Sequence, residues 1–583
     1  MGDFSSTDDI RSDSPLRHLK TVQFAGPHQL ELGGSLPSIT CAYETWGELN
    51  ANRSNAILIC HAISGDSHVC RHDPQDDMGW WEGLVGPGKA VDTDHFFVVC
   101  PNVLGGCRGT TGPGDICPET RRPFGADFPT ITMGDIVDVQ HRLAGHLGID
   151  RWRAVIGGSL GGHQVLTWVK NYPDCMKSCI AIASSPRLTS QALGFDVIAR
   201  NAIQTDPHFA EGQYYDKSIG PNTGLAIARM LGHITYLSSE AMEDKFDLDR
   251  HDPRKIASSF EQRFSIGSYL AHQGQKFTTR FDANSYVTLS MAMDLYDLGK
   301  TTAELQASFS AAECKFLLVS FSSDWLFPPS QSIDIVNALT ALNKRVSYAE
   351  ITTDAGHDAF LIDADIAKYA PLIEAQLSDT IPAPLPTNEA QQAILQLIPP
   401  DASVLDLGCG DGALLAALRD RGHEHLVGVE VQQDGIQHAA TLGLNVIDHD
   451  LNQKLPAFTD EQFDLVVLSE TLQVVQNIDS LLKEMLRVGR RSIVSFHNFA
   501  HRDLRMDYVT RGRSPRADGL YDYAWYNTPN RRFPSILDVE DLIRDNDAVV
   551  HEAIYLDTRA GVRVAADDDP NLNADLAILL ISR

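Results

Sequence analysis

At 583 residues, with 43% hydrophobic and 21% charged residues, the chain is globular and long enough for two to four domains. Forty-eight basic against seventy-seven acidic residues leave a formal charge of -29, which argues against a nucleic-acid partner and suits a cytoplasmic protein kept in solution by its own charge. No run of about eighteen apolar residues occurs, so no membrane span is expected, and the polar opening stretch "MGDFSSTDDIRSDS" lacks the apolar core of a signal peptide. The ten cysteines form no C-x-x-C pair and the histidines no H-E-x-x-H. Buried free thiols in a reducing compartment are expected, with neither disulfides nor a metal site.

In chain order, "NAILICHAISG" and "HFFVVCPNVLGG" read as buried parallel strands that end in glycine-rich loops. "RWRAVIG" (Arg151–Gly157) is a third such strand, and "GHQVLTWVKNYP" places Val165, Leu166, Trp168 and Val169 at helical spacing until Pro173. Strand, tight turn and helix make Gly157-x-Ser159-x-Gly161 a nucleophile elbow, where small neighbours let a strained serine stand clear of the sheet. A serine that only caps the helix is the plainer alternative. More than 150 residues of mostly helical texture separate Ser159 from the next clear strand, "CKFLLVSFSSD". An open sheet returns in far fewer, so residues 186–300 read as an inserted helical cap.

A serine hydroxyl needs a base, and the base a carboxylate to orient it. The α/β-hydrolase fold supplies them in the order Ser, Asp, His, and here Asp324 ends a strand while His357 follows the strand "VSYAEI". The backbone N–H groups of Leu160 and Ile63 are the expected oxyanion hole. Near residue 380 the texture changes. Pro382, Pro384 and Pro386 stiffen a linker over 379–387, between a first unit of residues 1–378 and a second of 388–583. The second opens with "SVLDLGCGDGALLAALRDRG", in which Asp406, Gly408, Gly410 and Gly412 lie at a strand-to-helix turn. Glu430 ends the next strand and Asp450 follows a third, the pattern of a Rossmann-like nucleotide crevice.

Several stretches of the first unit, "NVLGGCRGTTGPG" (102–114), "GGSLGG" (157–162), "ARMLGHITYLS" (228–238), "RFDANSYVTLSMAMD" (280–294), "SFSSDWLFPP" (320–329) and "GHDAFL" (356–361), resemble the homoserine O-acyltransferases of methionine biosynthesis. The resemblance implies an α/β-hydrolase fold, a triad of Ser159, Asp324 and His357, and homoserine contacts at Arg229 and Asp358. It implies a ping-pong transfer from acyl-CoA through an acyl-serine, with no cofactor. A guanidinium suits the carboxylate of zwitterionic homoserine, and a carboxylate suits its ammonium. Acyl-CoA specificity falls on Trp325 and Leu326. Relatives that use succinyl-CoA carry arginine where Leu326 stands, so acetyl-CoA is the expected donor. Succinyl-CoA is the alternative, should Arg71 or Arg108 reach in. Cys107 and Arg108 stay open between loop packing and contact with the acyl-CoA. A plain esterase would share the triad.

The order Asp406, then glycines, resembles class I S-adenosylmethionine-dependent methyltransferases. "SETLQVVQNIDSLLKEMLRVGRRSIVSFHNFAHRDLRM" and "YAWYNTPNRRF" resemble the methionine-biosynthesis protein MetW. The implied ligand of the second unit is S-adenosylmethionine. Gln432 stands where many relatives have an acid, and "LSETLQ" replaces an N-P-P-Y acceptor motif. Methyl transfer, ligand sensing and a scaffold without chemistry all stay open for this unit. A homodimer is the expected assembly, with no nucleic-acid or membrane partner.

Overall fold

The computed structural model describes residues 16–246, 265–383, 386–512 and 526–583. The acidic opening stretch, Pro384 of the linker and Tyr523–Trp525 of the MetW-like motif lie outside the described residues. The chain falls into two compact units, the first running to Leu377 and the second from Ser378.

In the first unit the strands are β1 (Lys20–Gln29), β2 (Ser35–Trp46), β3 (Ala56–Cys60), β6 (Phe97–Pro101), β7 (Ala154–Gly158), β8 (Ser178–Ile182), β9 (Lys315–Phe321) and β10 (Val346–Ile351), with a two-residue ladder of β4 (Val85–Gly86) and β5 (Val91–Asp92) beside them. The sheet runs β1-β2-β6-β3-β7-β8-β9-β10. β1 and β2 pair antiparallel, as do β2 and β6, and from β6 to β9 every pair is parallel. The central strands β3, β7 and β8 are buried at every residue, which is why they read as continuous apolar runs rather than alternations. The helix Leu160–Asn171 packs on β7 and β8 through Val165, Leu166 and Val169.

Sequence reading missed β8. It is only five residues long, and its two isoleucines, Ile180 and Ile182, stand among serine, cysteine and alanine, yet the strand is wholly buried between β7 and β9. The long crossing therefore lies between β8 and β9. Helices Ser190–Gln204, Asn222–Tyr236, Ser239–Phe246, Ser265–Arg280 and Ala283–Asp294 fill it, and Thr302–Phe309 then packs against Pro329–Ala341 beside the sheet.

The second unit contains β11 (Val404–Leu407), β12 (Leu426–Glu430), β13 (Asn445–Asp448), β14 (Phe463–Ser469), β15 (Gly489–His497), β16 (Val549–Asp557), β17 (Val562–Val564) and β18 (Leu576–Ser582), in the order β13-β12-β11-β14-β15-β18-β16-β17. The first five of these in space are parallel, and β18 runs antiparallel between β15 and β16. The order reverses between β11 and its neighbours β12 and β14. In open α/β sheets such a switch point is where ligands bind, at the carboxyl ends of the strands. No helix among the described residues is long and apolar enough to cross a membrane.

Candidate active site

Ser159 sits between β7 and the helix Leu160–Asn171 with φ +58° and ψ -126°, a conformation few non-glycine residues hold. Its neighbours must be glycines. A Cβ on Gly161 would lie 2.0 Å from the carbonyl oxygen of Cys60, and one on Gly157 would lie 2.5 Å from the backbone of Gly161. The turn is pinned by Ser159 N–H donating to the Ile182 carbonyl at 3.0 Å. The hydroxyl projects to His357, with Oγ 2.8 Å from Nε2, and His357 Nδ1 lies 2.7 Å from Asp324 Oδ2.

Asp324 ends the turn after β9. Its other oxygen accepts the backbone N–H groups of Leu326 at 3.0 Å and Phe327 at 2.9 Å, which orients the carboxylate. An ionised carboxylate only accepts, so Nδ1 carries the proton and Nε2 presents its lone pair to the serine hydroxyl. Burial opposes a charged His357, but the adjacent Asp324 outweighs it and holds the imidazole above its ordinary range. His357 lies on the short helix Gly356–Leu361. Gly356 there has φ +73°, and a Cβ would meet the backbone of Tyr236 and Ser238 at 2.6 Å, so the position takes glycine on both counts. The rings of Phe327 and Phe360 wall the imidazole at centroid distances of 5.0 and 5.8 Å.

Leu160 opens the helix, so its N–H points toward the space before Ser159. The loop bearing Ile63 is held from several sides. Val103 N–H donates to His61 Nε2 at 3.1 Å, the Gln164 amide donates to the His61 carbonyl at 3.0 Å, and Arg280 Nη1 donates to the Ser64 carbonyl at 3.1 Å. Ile63, Ser159 and Leu326 share one narrow cavity of about 40 Å³, walled by Leu188, Phe195 and Met293. Trp325 faces elsewhere. Its indole donates to the Leu237 carbonyl at 3.0 Å and borders a wider, open cleft of about 660 Å³ with Ser238, Ser322 and Asp354.

Arg229 is buried on the helix Asn222–Tyr236, whose Gly232 and Tyr236 line the narrow cavity, and its guanidinium lies 4.9 Å above the Phe277 ring. Asp358 follows His357 and is half-buried. Arg71 and Arg108 are committed to other carboxylates, Glu82 at 2.9 Å and Asp66 at 3.4 Å, and neither lines the cavity. Burial pushes the Cys107 thiol up to about 12, which leaves it inert. Sequence reading missed Asp196 and Tyr286 on the cavity wall. Asp196 falls within an apolar stripe of its helix that also carries Ala192, Phe195 and Ala199, and only the fold turns that stripe toward Ser159.

In the second unit Gly408, Gly410 and Gly412 all have positive φ, at +76°, +54° and +81°. A Cβ on Gly408 or Gly412 would strike Thr471 or Leu444 at 2.6 Å, whereas nothing lies within 4 Å of one on Gly410. Gly410 is thus the open face of the cradle. Glu430 accepts the N–H groups of Gly410 at 2.9 Å and of Val431 and Gln432 at 2.8 Å. Burial, then the charge of Glu430, lifts the Asp406 carboxyl to about 7, and its Oδ1 has no hydrogen-bond partner among the described residues. Asp450 closes a local turn by accepting from the Asn452 backbone and side chain.

A serine on a strand-to-helix elbow, followed along the chain by an aspartate and a histidine at the ends of later parallel strands, defines the α/β-hydrolase class. The family model for the alpha/beta hydrolase fold matches residues 55–364, and that for "Methionine biosynthesis protein MetW" matches 388–581. The bifunctional methionine biosynthesis protein MetXA/MetW of Rhodopirellula baltica is 64% identical over 596 residues, covering 100% of this chain and 96% of its own. A homoserine O-succinyltransferase of Alkalilimnicola ehrlichii is 52% identical over 345 residues, 58% of this chain and 90% of its own. The crystal structure of homoserine O-acetyltransferase from Bacillus anthracis superposes with a TM-score of 0.56 at 28% identity, covering 63% of this chain and 100% of that one. The chain belongs to the homoserine O-acyltransferase family, in the bifunctional form that carries a MetW unit after the acyltransferase.

Proposed function

We propose that the first unit transfers an acetyl group from acetyl-CoA to the hydroxyl of L-homoserine by way of an acyl-Ser159 intermediate. The observation that carries this is the unbroken line Ser159–His357–Asp324 opening on a cavity of about 40 Å³. His357 takes the Ser159 proton as Oγ attacks the thioester carbonyl, and the resulting oxyanion faces the N–H groups of Leu160 and Ile63. One such donor is worth about 2.7–4 kcal/mol. The carbon–sulfur bond breaks and the CoA thiolate leaves with the proton from His357. Homoserine, its carboxylate on Arg229 and its ammonium on Asp358, then gives its hydroxyl proton to His357 and attacks the acyl carbonyl. Ser159 leaves and recovers its proton.

Leu326 and Phe195 line the cavity beside Ser159 with hydrocarbon, and the carboxylate of Asp196 lines it as well, a wall that suits an uncharged acyl group. A succinyl carboxylate brought out of water would need a cation there, and among the described residues no arginine or lysine lines the cavity. Succinyl transfer is the second reading, favoured by the succinyltransferase name of the 52%-identical relative. The test compares kcat/KM for acetyl-CoA and succinyl-CoA in the wild type and in Leu326→Arg. The wild type should favour acetyl-CoA, and the variant should move the ratio toward succinyl-CoA by about a hundredfold, equivalent to roughly 2.7 kcal/mol. A wild-type preference for succinyl-CoA overturns the donor assignment.

For the second unit we infer a class I methyltransferase-type fold that takes S-adenosylmethionine. The strand order with an antiparallel β18, the open face at Gly410 and the orphaned Asp406 oxygen support it. Bound there, the sulfonium would supply a methyl group or simply report its own abundance. Gly410 and its neighbours would admit the nucleoside to the backbone, and Glu430 would meet the ribose. Glu430 already accepts three backbone N–H groups, so of its roughly four acceptor positions about one is left for a ribose hydroxyl. A homodimer is supported by the exposed apolar residues Val197, Ile198, Ile227 and Ile234 on the cap. Ten free cysteines, eight of them buried, suit a reducing, cytoplasmic setting.

A further inference from the structure

Where β2 meets the loop that follows Ile63, three potential ligands converge. Glu44 on β2 is fully buried. Its Oε1 accepts the Ser67 hydroxyl at 2.8 Å. Its Oε2 faces two imidazole nitrogens, His68 Nδ1 at 3.0 Å and His72 Nε2 at 2.9 Å, and one ligating atom from each of the three residues lies within 4.8 Å of the others.

The second nitrogen of His68 decides what can sit there. His68 Nε2 lies 2.9 Å from the Asp77 carbonyl oxygen, an acceptor, so Nε2 must carry a proton. In neutral His68 the Nδ1 lone pair then points straight at a carboxylate oxygen. That contact is repulsive unless a positive charge occupies it, either a proton or a metal ion. A ring N–H donated to a backbone carbonyl is also the outer-shell arrangement that orients metal-ligating histidines. His72 is held in orientation too, its ring stacked on Trp46 at 4.6 Å and on His18 at 4.1 Å.

The surroundings favour a cation. Asp76 lies 3.9 Å from His68 Nε2, and both Asp73 and Asp76 lie within 4.0 Å of His18 Nε2. His72 is only half-buried, which leaves a route for an ion to enter.

We propose that Glu44, His68 and His72 form a divalent-cation site, with zinc the best-fitting ion. Two imidazoles and one carboxylate are an established zinc ligand set, and water would complete a tetrahedron. The ion would clamp the loop from His61 to His72 onto β2, and so fix the segment that presents Ile63. Sequence reading expected no metal because its search was for a local motif, whereas these ligands come from a strand and from a loop two dozen residues later. The proposal is independent of which acyl group the first unit carries.

The test uses the full chain, stripped with a chelator and titrated with Co²⁺, whose visible absorption reports tetrahedral nitrogen and oxygen ligation. One saturable equivalent per chain is expected, displaced by Zn²⁺ and accompanied by a rise in the melting temperature. His72→Ala should weaken binding at least tenfold, and His72→Gln, which keeps a polar side chain beside Trp46, should do the same while retaining the wild-type fold by circular dichroism. Glu44→Gln should abolish the signal. Absence of a saturable equivalent, binding that survives in the His72 variants, or a thiolate-to-cobalt band that places the ion on cysteines would each overturn the assignment.

Discussion

A serine held at φ +58° and ψ -126° stores of the order of 1–3 kcal/mol of backbone strain, and the sheet around Gly157 and Gly161 holds it there. Because Ser159→Ala keeps the Cβ and deletes only the hydroxyl, it should leave the melting temperature nearly unchanged while turnover falls by about a millionfold. Substantial residual transfer in that variant would contradict the role of Ser159. His357 acts as a base only when neutral, and Asp324 holds its proton on. The acid limb of kcat/KM should therefore lie above the ordinary imidazole pKa of 6.5. Asp324→Asn should shift that limb to lower pH and cut the rate about ten-thousandfold. An unmoved limb would mean that another group is being titrated. These three residues were legible in the sequence because strand ends and chain order are local signals. The cavity wall was not, since nothing near Asp196 or Tyr286 in sequence shows that the cap folds them over Ser159.

The short strands and turns carry the next set of consequences. β8 escaped sequence reading because it is only five residues long and its two isoleucines are diluted by serine, cysteine and alanine, so that only pairing with β7 and β9 reveals it. The glycine turn after β11 was legible, but its division of labour was not: Gly408 and Gly412 serve packing, and Gly410 alone opens outward. Gly410→Val should abolish S-adenosylmethionine binding by the full chain in calorimetric titration, and equal heats from variant and wild type would remove this crevice from consideration. Asp406 makes the second unit pH-sensitive. Unfolded, its carboxyl ionises near the ordinary 3.8, while folded it keeps its proton to about 7, so the folded state binds more protons across that window. Stability should fall as pH rises from about 4 to 7, by at most roughly 1.4 kcal/mol per pH unit, and Asp406→Asn should flatten the slope. On the cap, Ile198→Asp should convert a dimer into monomers in sedimentation if the apolar face is the dimer contact. An unchanged sedimentation profile would move the interface elsewhere.

At the scale of the whole molecule, two α/β units share one chain, and composition shows why sequence could divide them: proline at alternate positions near residue 380 can join neither a helix nor a central strand. What the second unit does for the first depends on whether its ligand changes acyl transfer. Added S-adenosylmethionine should alter kcat or KM of the wild type but not of Gly410→Val if the unit is a sensor, and leave both unchanged if it is not. The proposed acyl transfer rests on a covalent intermediate that homoserine, not water, would resolve. The most direct test is intact-mass and peptide analysis of the full chain mixed with acetyl-CoA alone, then chased with L-homoserine. An acetyl adduct on Ser159 should form, persist without homoserine and move to O-acetylhomoserine within one turnover when homoserine is added. No adduct on Ser159, or an adduct lost to water as fast as to homoserine, would contradict it.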